Sequence, residues 1–361
     1  MKTVIRVGTY PTSIYKSMGT NSYMISGMDS IKTIFVSPEY EGNPFPEKKN
    51  TTLLTIPFLI KPSPSGIKKI PHEIKRLVKI STFSTRVIWL ILKERPEIVH
   101  IHSPMFFLIA VFARLKGARC YITYHGNEHE KIYNNKILGT IFNSVFFKTF
   151  SLSSDILKYG KVFSNYRDKF VPIDNAVDSN VFFDKKIKRK KVILAVGRLE
   201  DQKDYPTLIN AFAAVLQQNP DYKLNIVGSG QLEKSIRQQA IDLGIMNSVK
   251  LLGQVSQDDL PYIYNESDIF VMSSLWEGFP KVLLEAIACG CKVVSTRVDS
   301  APRVLGSTYP FLVNPGDHLD LFQKINSIII DDKNIKFQYK EILNRYSWDE
   351  VRLFMEKEYN S

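Results

Sequence analysis

Three polar segments in the second half of the sequence carry residue types suited to gripping a diphosphate and a polyol. The first is Val196-Gly197-Arg198-Leu199-Glu200-Asp201-Gln202-Lys203-Asp204-Tyr205, which leaves a strand-like apolar run with Arg198 and reaches Lys203 just before a helical pattern. Two cations so placed form a diphosphate clamp, because a guanidinium grips oxygens bidentately and an ammonium supplies a point charge. The plainer alternative for Arg198 is a surface salt bridge to Glu200 or Asp201. The second segment, Ile226-Val227-Gly228-Ser229-Gly230, runs from a strand into a helix through two glycines. Tight turns of this kind use glycine with or without a ligand. Leu232 and Glu233 stand where a dinucleotide fingerprint needs its third glycine, which argues against a dehydrogenase.

The third segment is Ser273-Ser274-Leu275-Trp276-Glu277-Gly278-Phe279-Pro280-Lys281-Val282-Leu283-Leu284-Glu285-Ala286. Pro280 suits a first helical position, which puts Gly278 and Phe279 at the positive end of a helix. Glu277 lies in the loop and Glu285 about a turn and a half into the helix, a spacing that aims both at one extended ligand. A carboxylate accepts two hydrogen bonds from a vicinal diol, the chemistry that recognises a ribose or a hexose. The alternative makes Glu285 a surface helix residue, but Leu283, Leu284, Ala286 and Ile287 around it make exposure uncomfortable.

Such groups need a scaffold, and the pattern from Lys191 onward supplies one. Strands are predicted at 191–196, 223–227, 249–252, 269–273 and 292–296, with helices at 206–217, 231–243, 258–265 and 281–288 between them. Strands joined by helices imply a parallel sheet with right-handed crossovers. In such sheets ligands bind beyond the carboxyl ends of the strands, where helix N-termini offer free N–H groups to anions. The first half reads the same way, with strands at 3–8, 33–37, 97–102 and 120–124 and helices at 70–93 and 105–115. The expected division is a first α/β domain over 1–183, a second over 191–345 and a terminal helix over 346–361, with the charged run Asp184–Lys190 as linker.

A chain of 361 residues is expected to split into two cores. Cys120, Cys289 and Cys291 form neither a disulfide framework nor a zinc spacing, which fits a reducing cytosol. The apolar run at the N-terminus is broken by charges and ended by Gly8-Thr9-Tyr10-Pro11, so it is read as a strand rather than a signal peptide. No apolar window approaches a bilayer span. A formal charge of +12 calls for an anionic partner. Nucleic acid is not favoured, for the chain has no reader motif and no aromatics interleaved along a basic element. Lys68, Lys69, Lys75, Arg76, Lys79 and Arg86 instead cluster on a helix whose Ile74, Leu77, Val78, Val87, Ile88 and Trp89 recur at helical spacing. Such a helix either rests on anionic lipid or packs on the core with a solvated basic side.

Gly197-Arg198-Leu199 with Lys203-Asp204, the Glu277-Gly278-Phe279-Pro280 to Glu285 spacing, and Gly290-Cys291-Lys292-Val293-Val294-Ser295-Thr296 together resemble glycosyltransferase family 4, of GT-B fold. The likeness is strong from Val192 to about Leu305 and continues weakly at Tyr346-Ser347-Trp348-Asp349-Glu350. In the first half it rests on Met18-Gly19-Thr20, Val99-His100-Ile101-His102, Tyr124-His125-Gly126 and Asn175-Ala176-Val177-Asp178. The resemblance implies two Rossmann-like domains facing a central cleft, with the terminal helix returning to the first. It implies that Arg198 and Lys203 hold the donor diphosphate, that Glu285 binds the ribose, and that Val255 meets the base through its backbone. Glu277 with the backbone of Gly278 and Phe279 would hold the sugar hydroxyls, His125 would sit beside the sugar, and Gly19 would let backbone approach the phosphates or acceptor. Met18 replaces the first of the family's usual paired glycines. Asp299-Ser300-Ala301-Pro302-Arg303-Val304 replaces a glycine-rich turn, which looks closer to a bacterial polysaccharide-type variant.

The implied activity is retaining transfer of a hexose or N-acetylhexosamine from a nucleoside-diphosphate sugar, UDP before GDP, to a glycan or lipid-linked acceptor. It would occur in the cytoplasm or at the inner membrane face. The chain has no Asp-x-Asp motif, so Arg198, Lys203 and helix N-termini would neutralise the leaving diphosphate without a metal or other cofactor. A sugar-nucleotide epimerase of the same architecture is the alternative.

Overall fold

The computed structural model describes residues 1–8, 25–38, 47–56, 69–125, 128–152, 154–163, 168–298, 301–330 and 336–361, without the side chains of 38, 69–77 and 336–338. These residues form two compact units, one of 1–173 with 348–361 and the other of 174–347.

The first unit carries seven parallel strands: β1 (Lys2–Val7), β2 (Ile31–Pro38), β3 (Thr51–Ile56), β4 (Ile98–Ile101), β5 (Arg119–Tyr124), β6 (Lys148–Ser151) and β7 (Phe170–Pro172). They lie in the order β3-β2-β1-β4-β5-β6-β7. Because side chains alternate along a strand, the two faces differ in chemistry. Ile5 and Val7 of β1, Val99 and Ile101 of β4, and Ile122 and Tyr124 of β5 build one apolar core with Phe83, Val87, Leu90 and Ile91 of the helix Lys69–Glu94. The opposite face carries Arg6, His100 and Tyr121, which are register partners across β1, β4 and β5. The C-terminal helix Trp348–Asn360 closes that face. Its Tyr359 is fully buried, and the Tyr359 carbonyl accepts from Arg119 at 2.9 Å and from Lys2 at 3.1 Å.

The apolar residues of the helix Lys69–Glu94 divide between two sides. Val87 is buried, but Val78 and Trp89 are 60% and 62% exposed, and Lys79 and Arg86 are exposed as well. Lys68 and the side chains of Lys69, Lys75 and Arg76 lie outside the described residues.

The second unit has six parallel strands: β8 (Lys190–Val196), β9 (Lys223–Val227), β10 (Val249–Gly253), β11 (Ser267–Met272), β12 (Lys292–Thr296) and β13 (Leu312–Val313). Their order is β10-β9-β8-β11-β12-β13. The run Asp184–Lys190, expected as a linker, begins eleven residues after Ile173, where the first unit breaks off, and is tied into the second. Arg189 donates to the carbonyls of Ser267 and Cys289 at 2.7 and 2.5 Å, and Asn265 accepts from the Lys185 N–H at 2.7 Å. Charge marked an exposed stretch, while the fixed guanidinium inside it was hidden by distance along the chain.

Candidate active site

Successive strands step outward from β8 in one direction through β9 and β10, and in the other through β11, β12 and β13. This reversal leaves a crevice beyond the carboxyl ends of β8 and β11, the place where open parallel sheets bind ligands. β8 feeds Gly197–Lys203 into it, and β11 feeds Ser273–Pro280. Three of the four charged residues singled out above, Arg198, Lys203 and Glu277, therefore arise at the switch point.

Backbone contacts fix the first loop. Leu199 is fully buried, donates its N–H to the Ser229 carbonyl at 2.9 Å, and accepts from Leu232 at 3.0 Å. Gln202 accepts from the Leu275 N–H at 2.8 Å, and the Ser273 hydroxyl donates to the Lys203 carbonyl at 2.8 Å. Asp204 then takes φ 47°, ψ 50° and caps the helix Tyr205–Gln218, its carboxylate accepting from Thr207 N–H at 3.4 Å. The glycine pair has a structural task here. A Cβ on Gly228, at φ +141°, would stand 1.8 Å from the Gly197 carbonyl oxygen, and one on Gly230 would stand 2.3 Å from that of Leu199.

The side chains converge in the same order. Lys203 is ion-paired with Glu277, with side-chain exposures of 16% and 8%. The Ser274 hydroxyl donates to the same Glu277 oxygen at 2.6 Å, and the Gln202 amide donates to the Trp276 carbonyl at 2.8 Å and to Glu277 Oε2 at 3.4 Å. Arg198 takes the plainer pairing foreseen for it, with Glu200 at 2.7 Å, both side chains well exposed. An exposed pair of this kind is worth about 0–1 kcal/mol, so Arg198 is readily diverted to a stronger anion.

Lys281, not Pro280, opens the following helix; Pro280 caps it at φ −79°, ψ 94°. Phe279 is buried, its ring 5.6 Å from that of Tyr346 and 5.6 Å beneath Arg303, so its backbone is the part available to a ligand. The space beside Gly278 is open. Glu285 is buried, which removes the surface-helix alternative. Its Oε2 accepts from Tyr264 at 3.1 Å, and its other oxygen has no protein hydrogen bond among the described residues. Burial raises its carboxyl pKa, while the Lys281 charge and the Tyr264 hydrogen bond pull it back. Val255 is half-buried after β10, beside Gln254, whose amide donates to the Ser229 hydroxyl at 3.0 Å. His125 follows β5 in the first unit, its Nε2 3.1 Å from His102 Nδ1. Gly19 lies outside the described residues.

Gln202, Ser274 and Tyr264 stand against the acids yet carried no role in the sequence reading. Gln202 and Ser274 sit in quoted loops where a polar residue at a strand end is a usable signal. Tyr264 comes from another helix, and nothing in its neighbourhood along the chain marks it.

Two family profiles match the chain in tandem, "Glycosyltransferase Family 4" over residues 31–177 and "Glycosyl transferases group 1" over 178–343. The chain belongs to glycosyltransferase family 4. Among relatives of this glycosyltransferase, the phosphatidylinositol N-acetylglucosaminyltransferase gpi3 subunit of Schizosaccharomyces pombe is 28% identical over 75% of the chain and 62% of its own length. The chain thus spans less than two thirds of that relative. The N-acetylgalactosamine-N,N'-diacetylbacillosaminyl-diphospho-undecaprenol 4-alpha-N-acetylgalactosaminyltransferase of Campylobacter jejuni is 27% identical over 71% of the chain and 73% of its length. Anabaena HepE, solved with UDP and glucose, superposes with a TM-score of 0.71 over 100% of both chains at 16% identity. The fold of this family 4 enzyme is accordingly GT-B, built from two parallel-sheet α/β domains.

Proposed function

We propose that this glycosyltransferase moves a hexose or N-acetylhexosamine, with retention, from a nucleoside-diphosphate sugar to a lipid-linked or glycan acceptor. The observation that carries the reading is the Lys203–Glu277 pair joining the two switch-point loops, with Arg198 on the same loop as Lys203. As the glycosyl-phosphate bond breaks, the anomeric carbon becomes positive and the diphosphate negative. Arg198 and Lys203 bind the diphosphate and stabilise its growing charge; Lys203, partly buried on a clamped loop, does so better than water. Glu277, held by Ser274 and Gln202, accepts hydrogen bonds from sugar hydroxyls, together with the backbone of Gly278 and Phe279. Glu285 uses its second oxygen for the ribose, and the backbone at Val255 meets the base. UDP is preferred to GDP, in keeping with the HepE complex.

The reaction in this reading needs no divalent metal. Incubation with UDP- and GDP-sugars and a polyprenyl-diphosphate-linked acceptor should give transfer that persists in EDTA. Strict dependence on Mn²⁺ or Mg²⁺ contradicts the assignment, and a changed sugar recovered without acceptor identifies an epimerase instead.

Both sequence relatives are named for lipid-borne acceptors. Among the described residues no helix is long and apolar enough to cross a membrane. Attachment in this reading is peripheral, through Lys79, Arg86 and the exposed Val78, Trp89 and Leu92 of the helix Lys69–Glu94. Basic residues beside exposed apolar ones suit an anionic bilayer surface. The enzyme should float with phosphatidylglycerol vesicles and stay behind with phosphatidylcholine ones; equal behaviour in both removes this part of the reading.

A further inference from the structure

Arg6 is a charge buried without a carboxylate partner among the described residues. It is 0% exposed, and its Nε has no hydrogen-bond partner among those residues. Its two terminal nitrogens meet His102 Nε2 at 2.8 Å and the Tyr359 hydroxyl at 3.1 Å. A guanidinium only donates, so each contact dictates where the next hydrogen must be. His102 must accept at Nε2, which puts its proton on Nδ1. His102 Nδ1 lies 3.1 Å from His125 Nε2, which must then accept in turn. His125 is left with its proton on Nδ1, an atom with no protein partner among the described residues.

We propose that Arg6 is a positioning residue which, through His102, locks His125 in its Nδ1–H tautomer, so that His125 presents a hydrogen-bond donor, and no base, to a ligand oxygen at the carboxyl end of β5. The functional half rests on the reading of His125 as a sugar-facing residue; the tautomer half does not. Doubly protonated His125 would point an Nε2–H at the Nδ1–H of His102. Burial, and then the Arg6 charge, accordingly pull the His125 pKa down to about 4.

The other arm of the guanidinium gives an internal check. Tyr359 accepts from Arg6, and the acceptor for its own hydrogen is His100 Nδ1, 2.5 Å away. A buried hydroxyl that already accepts gains most by donating to the acceptor beside it. His100 therefore carries its proton on Nε2 and donates to the Thr123 hydroxyl at 2.8 Å. One arginine thus imposes opposite tautomers on two histidines of a single strand end.

The test is ring ¹⁵N NMR of the full chain labelled at its six histidines, assigned by single substitution. At neutral pH, His102 and His125 should show a pyrrole-type Nδ1 and a pyridine-type Nε2, with His100 reversed. Arg6→Met should let His102 and His125 drift toward the Nε2–H form and lower kcat by up to about tenfold, the worth of one hydrogen bond. If Arg6→Met does not fold, His102 variants carry the test. Gln can accept from Arg6 and donate to His125, so His102→Gln should keep the His125 signature and most of the activity that His102→Phe loses. An Nε2–H tautomer at His125 in the wild type, or an Nδ1–H one surviving in His102→Phe, overturns the relay. Loss of the tautomer with kcat unchanged overturns the donor role, and full activity of His125→Ala shows that the sugar-facing reading itself is at fault.

Discussion

Lys203→Ala should lower transfer by about two to three orders of magnitude, the usual cost of removing one fixed donor from a developing charge. The loop that carries Lys203 is clamped by backbone hydrogen bonds to the glycine turn and to the β11 loop, so the ammonium is already placed when the donor arrives. Substrate binding then spends nothing on arranging it. Removing Lys203 also leaves Glu277, 8% exposed, without its counter-charge. An uncompensated buried charge destabilises, so the melting transition must be measured alongside. Lys203→Met with Glu277→Gln removes both charges and restores stability while leaving transfer low. Turnover within threefold of wild type in a folded Lys203→Ala enzyme would remove the leaving-group argument.

Gly228→Ala should strongly destabilise the second unit. The new Cβ would sit 1.8 Å from the Gly197 carbonyl oxygen, in a backbone with φ +141° that side chains rarely adopt. Steric overpacking costs about 1–3 kcal/mol and a residue forced into such a conformation about 1–3 more, so a loss of about 4 kcal/mol is expected in urea unfolding. Relief of the clash pushes Gly197 away, and Arg198 follows it. Weakened donor binding in whatever folded fraction remains should therefore accompany the loss. Alanine at Gly278, where the space is open, serves as the control and should change stability little. Equal stability of the two variants contradicts this account of the glycine turn.

The second unit was legible because parallel strands buried on both faces read as apolar runs, and its helices are long enough to show their period. β6 and β7, of four and three residues, are too short to carry a readable period. The segments that hold the site were legible from their polar residues at strand ends. Their pairing was not: Lys203 and Glu277 stand 74 residues apart, and spacing along a chain does not say which loop meets which. The Gly-x-Gly pair was read correctly as a turn, but its cause, the carbonyls of Gly197 and Leu199 pressed against it, belongs to tertiary structure. The apolar residues of the helix Lys69–Glu94 divide between a buried side with Val87 and an exposed side with Val78 and Trp89, a division that spacing alone did not reveal. Arg6 looked like an ordinary charge in a first strand, for its partner Tyr359 lies 353 residues away.

The central claim is that two cations of one loop at the β8–β11 switch point, Arg198 and Lys203, hold a nucleoside diphosphate. Calorimetric titration of UDP and of uridine into the wild type and into the Arg198→Ala and Lys203→Ala variants tests it most directly. Two charge-assisted contacts predict that UDP binds about a hundredfold more tightly than uridine, and that each variant closes much of that gap while leaving uridine unaffected. Equal affinity for UDP and uridine, or a gap indifferent to both substitutions, would contradict it.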